Sequence, residues 1–216
     1  MANELVILGA GGFAREVAWL VSDINDASLE EWKIIGFVEH TNERVGEFLN
    51  GIPIIDMTTV VKQHCDTYAV AAIGDPRIRE RAVREAKDDG LRFATLIHPE
   101  VRLDRNTVEV GSGSIICAGN ILTTNIVIGK HVIINLHCTL GHDTLIEDLV
   151  TISPGCHLSG HTTIHRGAYV GTGAVTIEGR TIGEYSIIGA GAGIIKDVAD
   201  YATAVGLPAK EIKYNR

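Results

Sequence analysis

The sequence lacks the marks of a membrane or secreted protein. It has no run of about eighteen apolar residues, the length that a membrane-spanning helix needs. It also has no basic leader ahead of an apolar stretch. We therefore expect a cytoplasmic protein without a membrane span or a signal peptide.

An excess of positive charge is also lacking. The 216 residues carry 19 Lys and Arg against 27 Asp and Glu, a formal net charge of -8 at pH 7. Nucleic acids and anionic membranes attract basic surfaces, so this charge argues against both as partners.

Closely spaced cysteine pairs are absent as well. The four cysteines show no CxxC spacing: Cys65, Cys117, Cys138 and Cys156. Cys138 and Cys156 both occupy the small inward position of the repeat described below. We predict packed thiols rather than a disulfide or zinc ligands, and no metal site.

Phenylalanine and tryptophan are missing from everything after residue 93. This change in composition marks a domain boundary between residues 97 and 110. We predict an α/β domain over residues 1–97 and a second, all-β domain over residues 98–216.

The first domain alternates strands with helices. The predicted strands are Leu5–Leu8, Ile34–Val38, Tyr68–Ile73 and Phe93–Ile97, the helices are Phe13–Val21 and Pro76–Asp89, and Ile52–Ile55 is a further extended piece. This order predicts a small Rossmann-like parallel sheet with helices on its faces. Ligands of such sheets bind at the carboxyl ends of the strands.

The first of these strand ends carries a glycine-rich turn, Gly9-Ala10-Gly11-Gly12. Its glycines allow the backbone to approach a diphosphate, which the free amides of a helix N-terminus can bind. Glu39 ends the next strand, where it could hold a ribose hydroxyl. The alternatives are a plain tight turn and an NAD site, but about a hundred residues are too few for two mononucleotide halves. A nucleotide sugar fits this domain better.

Between residues 110 and 195 an aliphatic residue returns at every sixth position, with Thr176 as the one exception. The positions are Val110, Ile116, Leu122, Ile128, Ile134, Leu140, Ile146, Ile152, Leu158, Ile164, Val170, Thr176, Ile182, Ile188 and Ile194. A mostly small residue follows four positions after each. Glycine follows directly at positions 111, 129, 141, 171, 183 and 189.

A period of six fits neither a helix nor long alternating strands. It fits a chain that turns a corner every six residues, so that three short strands form a triangular coil of eighteen residues. We expect the aliphatic residues to fill the interior and the glycines after them to ease the corners. Residues eighteen apart then stack at the strand spacing of about 4.8 Å. Thr176 and Arg180 predict a local distortion, and the tail after Ile194 is expected to leave the coils.

The whole chain resembles the left-handed β-helix acetyltransferases of the sialic acid O-acetyltransferase and bacillosamine-pathway nucleotide-sugar N-acetyltransferase type. The motifs that carry the resemblance are LVILGAGGFAREV, GFVEH, AIGDPRIRERAV, FATLIHPEV, His142-Asp143 and Gly206–Lys210. The resemblance implies a homotrimer that binds acetyl-CoA between neighbouring subunits. It also implies a left-handed coil, an exception to the usual right-handed crossover.

His142 is the strongest candidate among the six histidines of the repeat. It lies two residues after inward Leu140, on the surface, and Gly160 lies one coil higher. A base at one level and a free backbone amide above it form the pair that acyl transfer needs. We predict direct attack in a ternary complex, with His142 as general base and the Gly160 amide at the oxyanion. In the family the base is a histidine followed by an acid, and Asp143 can orient His142 only if the corner bends the chain there.

The resemblance also implies binding residues. Thr151 occupies the position of a second family histidine near acetyl-CoA, and Thr172 and Ala190 fall where backbone contacts to the CoA arm are expected. In the first domain the residues near the nucleotide sugar are Gly11, Gly12, Phe13, Glu39, His40 and Gly74.

The acceptor stays open between two chemistries. An amine on a UDP- or GDP-linked 4-amino sugar and a hydroxyl of a sugar or sialic acid both need a base such as His142. The nucleotide-like first domain favours the amine and therefore an N-acetyltransferase.

Two alternatives belong to other classes. A zinc-dependent hydratase of the γ-carbonic anhydrase type shares the coil, and His137 and His142 resemble part of its ligand set. However, no third histidine stacks below them, and His157 and His161, one coil higher, differ in phase from both. A scaffold without activity needs only a packed interior, and it does not account for the glycine-rich turn and His142-Asp143 occurring together.

Overall fold

The computed structural model describes residues 2–27, 31–64 and 66–214. The chain divides into two compact units, Met1–Pro99 and Glu100–Arg216. Within the described residues, no helix has the length and apolar character needed to cross a membrane. The prediction for Cys65 lies outside the described residues.

The strands of the first unit are β1 Asn3–Leu8, β2 Trp32–Val38, β3 Phe48–Leu49, β4 Ile52–Pro53, β5 Tyr68–Ala71, β6 Arg92–Phe93 and β7 Leu96–Ile97, and its helices are α1 Gly12–Ala27, α2 Met57–Gln63 and α3 Pro76–Asp88. Four of these strands form a parallel sheet in the order β2-β1-β5-β6. The central strand β1 is a nearly continuous apolar run because helices cover both faces of a parallel sheet. Its last residue, Leu8, pairs with Val38 on one side and Ala71 on the other. The three strands therefore end together, which confirms the predicted Rossmann-like sheet.

Two helices differ from the sequence prediction. Helix α1 runs to Ala27 rather than Val21, because Ile24 continues its buried face and the Asn25 side chain both donates to and accepts from the Trp32 backbone at 2.8 Å. Helix α2 was not predicted. It begins after Asp56, whose carboxylate accepts the Thr59 amide as an N-terminal cap.

The second unit is the predicted parallel β-helix of hexapeptide repeats, with about six turns. Its strands are β8 Arg102–Leu103, β9 Val108–Val110, β10 Ile115–Ile116, β11 Ile121–Leu122, β12 Ile126–Ile128, β13 Ile133–Ile134, β14 Thr139–Leu140, β15 Leu145–Ile146, β16 Thr151–Ile152, β17 His157–Leu158, β18 Thr163–Ile164, β19 Tyr169–Val170, β20 Val175–Thr176, β21 Thr181–Ile182, β22 Ile187–Ile188, β23 Gly193–Ile194, β24 Ala202–Val205 and β25 Lys210–Tyr214.

The register of the coils follows the sequence period. Ile134 pairs with Ile116 on one side and Ile152 on the other, and Val170 pairs with Ile152 and Ile188. These inward side chains are fully buried, and each step is eighteen residues. The hexapeptide pattern therefore gives both the interior and the stacking order correctly.

The predicted role of the glycines was wrong in one respect. The glycines directly after the inward residues do not have positive φ angles, whereas the corner residue two positions later does, as at Gly113 and Asp143. The positions directly after the inward residues require glycine because the backbone of the next coil lies very close. A Cβ on Gly141, for example, would lie 2.4 Å from the Gly160 nitrogen. Glycine there allows the next coil to pack at strand spacing.

The end of the repeat also differs from expectation. Strand β24 continues the ladder in parallel with β22, and β25 then returns antiparallel to β24. Val198 forms a bridge with Ile182. The segment after Ile194 therefore stays on the coils through Val205 instead of leaving them.

Candidate active site

His142 and Asp143 occupy one corner of the β-helix. Asp143 has a φ of +56°, a conformation that aspartate tolerates better than most residues. This bend turns both side chains to the same side, and His142 Nδ1 lies 2.8 Å from Asp143 Oδ2. The condition for Asp143 to orient His142 is therefore met in the structure.

Asp143 is held as a carboxylate. The hydrogen bond from His142 is the largest cause that lowers its pKa below the ordinary value, and a second comes from Asn125 Nδ2 at 3.2 Å. Nearby His161 and His142 charges act in the same direction, while partial desolvation opposes them. Because a carboxylate only accepts hydrogen bonds, the neutral form of the His142 ring bonded to Asp143 carries its proton on Nδ1 and has a lone pair on Nε2.

The His142 ring packs directly on Gly160 of the next coil. A Cβ placed on Gly160 would lie 2.5 Å from Cε1 and 2.7 Å from Nε2 of His142. The Gly160 amide makes no hydrogen bond to any residue in the described part of the chain. The His142 ring therefore lies against the residue whose N–H has no partner in the described part of the chain.

Other corners show what an amide in this position binds. The amides of Lys130 and Arg166 hold the same place two residues after an inward aliphatic, and they donate to carboxylate oxygens of Asp148 and Glu147 at 2.7 and 2.9 Å. These outward amides are therefore natural partners of negatively charged oxygen. The amide of Gly160 leaves that partner to a ligand.

Thr172 and Ala190 hold the same corner position on another edge of the coils, eighteen residues apart. Their side chains are exposed and their amides donate to no described residue. They form two steps of a ladder of available N–H groups. Thr151, by contrast, is only 4% exposed in the chain, so its hydroxyl has little room for a ligand.

The structure brings a second histidine, His161, to the pair formed by His142 and Asp143, and the sequence did not predict this contact. His161 Nε2 lies 3.8 Å from Asp143 Oδ2, and the His161 and His142 rings meet edge to face with centroids 5.1 Å apart. The three side chains place ligand atoms within 4.8 Å of one another. His161 is one position out of phase with His142, as predicted, because it lies eighteen residues after Asp143. The positive-φ corners nevertheless bring the two rings into contact, which was not predicted.

The first unit contains a cavity of about 450 Å³ at the carboxyl ends of β1, β2 and β5. Of the predicted substrate residues, Glu39 and His40 line it. Gly11, Gly12, Phe13 and Gly74 do not, although their neighbours in the same turns do: Gly9, Ala10 and Ile73.

Sequence reasoning missed part of this lining. Helix α3 contributes Arg81 and Glu85, and Asp89 follows it. The helix was predicted, but its inward face depends on how Val83 and Ala86 pack, so only the structure shows which charged residues face the cavity.

Buried Arg79 braces the turn that follows β5. Its Nη1 donates to the Ile73 carbonyl at 2.6 Å and to the Gly74 carbonyl at 3.2 Å. Burial lowers the pKa of the Arg79 guanidinium to about 9, against the opposing charge of Asp75. The turn that carries one wall of the cavity is thereby fixed from inside the unit.

The order of an α/β unit and a hexapeptide β-helix is the one that the resemblance to acetyltransferases predicts. Residues 4–86 match the family described as the PglD N-terminal domain. The chain is 31% identical over 219 residues to the GDP-perosamine N-acetyltransferase of Escherichia coli O157:H7, a match that covers 98% of this chain and 97% of that enzyme.

Solved structures agree with this assignment. A histidine-to-asparagine variant of perosamine N-acetyltransferase from Caulobacter crescentus, in complex with CoA and GDP-perosamine, superposes with a TM-score of 0.88 at 27% identity and covers 99% of this chain and 98% of its own. The acetyltransferase domain of PglB from Neisseria gonorrhoeae FA1090, in complex with acetyl coenzyme A, gives 0.86 at 31% identity and covers 98% and 100%.

The chain therefore belongs to the hexapeptide-repeat acetyltransferase family, and acetyl-CoA is its co-substrate. The near full-length relative from Escherichia coli O157:H7 and the Caulobacter crescentus enzyme are N-acetyltransferases, which does not favour the O-acetylation or zinc hydration alternatives. The predicted family, fold class and enzyme class are confirmed.

Proposed function

We propose that this enzyme transfers the acetyl group of acetyl-CoA to the amine of a GDP-linked 4-amino sugar. The observation that carries the proposal is the His142 ring, oriented by Asp143 and packed beside the uncommitted Gly160 amide. The near full-length similarity to a GDP-perosamine N-acetyltransferase supports this acceptor class.

The geometry supports a direct transfer. The amine nitrogen attacks the thioester carbonyl carbon, and its proton passes to Nε2 of His142 as the new C–N bond forms. The carbonyl oxygen becomes an oxyanion that accepts the Gly160 N–H. When the C–S bond breaks, the proton on His142 passes to sulfur, which gives the amide and free CoA thiol. Asp143 stabilises the imidazolium that exists between the two steps.

The cavity of the first unit is the proposed nucleotide site. Its acidic lining, Glu39, Glu85 and Asp89, suits guanine, which offers N–H donors at both N1 and N2, better than uracil, which offers one. Gly11, Gly12, Phe13 and Gly74 are proposed to contact the diphosphate and sugar. Thr172 and Ala190 are the proposed backbone contacts to the CoA arm, and Thr151 is a weaker candidate because it is buried.

A homotrimer with the site between subunits is part of the proposal. Val127 and Leu145 stack in register on the coil exterior and are 44% and 38% exposed, which suits an apolar interface. Light scattering after size exclusion should give three times the 23.2 kDa of one chain. A monomeric mass would exclude sites shared between subunits. A cytoplasmic location is proposed because acetyl-CoA and nucleotide sugars are cytoplasmic metabolites.

The acceptor is tested by following free thiol release from acetyl-CoA with GDP-, UDP- and dTDP-linked 4-amino sugars beside free sialic acid. We expect saturable release with the GDP sugar. Its kcat/KM should exceed those of the other nucleotides by about 10- to 100-fold, the effect of one or two base hydrogen bonds.

The control for the nucleotide site is Glu85→Gln, which removes one cavity charge without changing shape. It should raise the KM for the sugar and leave the KM for acetyl-CoA unchanged. Release with sialic acid alone would move the activity to O-acetylation and contradict the proposal.

A further inference from the structure

Thr176 is the one inward position of the repeat that is not aliphatic, and the structure shows what its hydroxyl does. The strand register is unbroken there, since Thr176 pairs with Leu158 below and Ile194 above. The departure from the repeat lies in the hydrogen bonds that Thr176 makes with Ser159 and Thr162. Ser159 is the residue directly before Gly160.

In neighbouring coils the amide after an inward residue donates to the inward carbonyl of the next coil. Gly141 N donates to Leu158 O at 2.8 Å, and Ile177 N donates to Ile194 O at 3.1 Å. Ser159 departs from this ladder. Its amide donates to the Thr176 hydroxyl at 3.0 Å, while its own hydroxyl donates to the Thr176 carbonyl at 2.7 Å.

The carbonyl of Ser159 is also fixed. Thr162 Oγ1 donates to it at 2.6 Å, and Thr162 Oγ1 lies 3.1 Å from Thr176 Oγ1. One donor assignment satisfies every group: Thr176 donates to Thr162, Thr162 donates to the Ser159 carbonyl, and the Ser159 amide donates to Thr176. The hydroxyls of Thr162 and Thr176 and the backbone of Ser159 thus form a closed network of hydrogen bonds.

This network sets the direction of the Gly160 N–H. The Ser159 carbonyl and the Gly160 N–H belong to one planar peptide and point in opposite directions. Because Thr162 holds the carbonyl toward the interior, the N–H of Gly160 faces outward. Thr176 accepts the hydrogen bond of the Ser159 amide and lies within hydrogen-bond distance of the Thr162 hydroxyl. It therefore restrains both Ser159 and the side chain that holds the Ser159 carbonyl.

We propose that Thr176 is a positioning residue that preorganises the Gly160 amide for the oxyanion. The inference rests on the proposed acetyl transfer and adds a residue to it. A buried hydroxyl replaces an aliphatic side chain at an inward position that hydrogen-bonds to Ser159, the residue directly before this amide. Donors held in place before the reaction stabilise developing charge without reorganisation.

The test compares Thr176→Val with Thr176→Ser. Valine keeps the shape and fits the aliphatic column but lacks the hydroxyl, and serine keeps the hydroxyl. We expect Thr176→Val to lower kcat by about 10- to 100-fold, a part of the ~10²- to 10³-fold effect of losing an oxyanion donor, with both KM values within about 2-fold. Thr176→Ser should retain kcat within about 3-fold.

A packing role predicts the reverse order, since valine restores the repeat and serine leaves a void. Full kcat in Thr176→Val with a loss in Thr176→Ser would therefore overturn the inference. Thr162→Val provides a second route should Thr176→Val fold poorly, and it should show the same kcat loss. The matched control is Ser186→Ala, which removes an equivalent hydroxyl that donates to Gly183 O at 2.8 Å on another corner. It should retain kcat.

These outcomes separate two failures. If the wild-type enzyme shows no thiol release with any nucleotide amino sugar, the proposed function fails. If wild type is active and Thr176→Val and Thr162→Val match it, only the role of Thr176 fails. Thermal melting of each variant establishes that the β-helix is intact.

Discussion

Replacing His142 with Ala should lower kcat by about 10²- to 10⁴-fold, the range of a lost general base. The ring supplies the basic nitrogen and is oriented by a carboxylate, through its 2.8 Å bond to Asp143. Because the side chain is exposed and makes no contact in the aliphatic interior, we expect the fold to survive. Steady-state thiol release at saturating acetyl-CoA measures the effect.

Three controls accompany this variant. Acetyl-CoA affinity by calorimetry and the oligomer mass should match wild type. His157→Ala removes another exposed coil histidine, whose Nδ1 contacts only Thr139 Oγ1 at 2.9 Å among the described contacts, and it should keep full turnover. Equal loss in both variants would mean that His142 acts through the fold and not as a base.

Gly160→Ala should lower kcat by about 10²- to 10³-fold, comparable to the loss of one oxyanion donor. The backbone of Gly160 does not have a positive φ, so alanine adds no backbone strain. Its methyl group, however, would lie 2.5 to 2.9 Å from three atoms of the His142 ring. The ring must move away from the amide, which separates the base from the oxyanion donor.

A double-mutant cycle isolates this contact. In the His142→Ala background the methyl group of Gly160→Ala meets no ring, so the second substitution should cost little further activity. The two losses should therefore be strongly non-additive in kcat. Losses that multiply fully would show that Gly160 acts independently of His142, and the proposed pairing would be wrong.

Most of the β-helix was predictable from the sequence because its interior repeats strictly. Each inward aliphatic residue lies eighteen positions from its stacked partner, as the pairing of Ile134 with Ile152 shows. The corner conformations were not predictable in the same way. Whether a residue such as Asp143 or His161 has a positive φ depends on the closing geometry of each turn, which several residue types can satisfy.

That difference explains the errors in the site. The prediction placed Gly160 above His142 correctly, because both follow from the eighteen-residue step. It gave His161 a different phase from His142 and so did not predict the contact between them. The structure brings their rings together only because positive-φ corners interrupt the alternation of a regular strand.

The role of Thr176 was beyond sequence reasoning for another reason. The pattern shows an exception in the column but not what the hydroxyl contacts. Only the structure shows that the Ser159 amide donates to the Thr176 hydroxyl instead of to the backbone carbonyl of the next coil. The exchanged hydrogen bond changes neither the period nor the strand register, so the sequence pattern does not show which group Thr176 contacts.

The lining of the cavity in the first unit was predictable only in part. Glu39 was predictable because it follows β2 at the carboxyl end of the strand, and His40 was implied by the family resemblance. Arg81 and Glu85 come from α3, whose charged residues cover more than one face of the helix. Their orientation follows from packing against the sheet and not from the local sequence.

The most direct test of the whole account is to identify the product formed from acetyl-CoA and a GDP-linked 4-amino sugar by NMR. We expect an amide at the sugar nitrogen with wild-type enzyme and almost none with His142→Gln, which keeps polarity but provides no base. An ester on a sugar oxygen, or the same amide formed at the same rate by His142→Gln, would contradict the account.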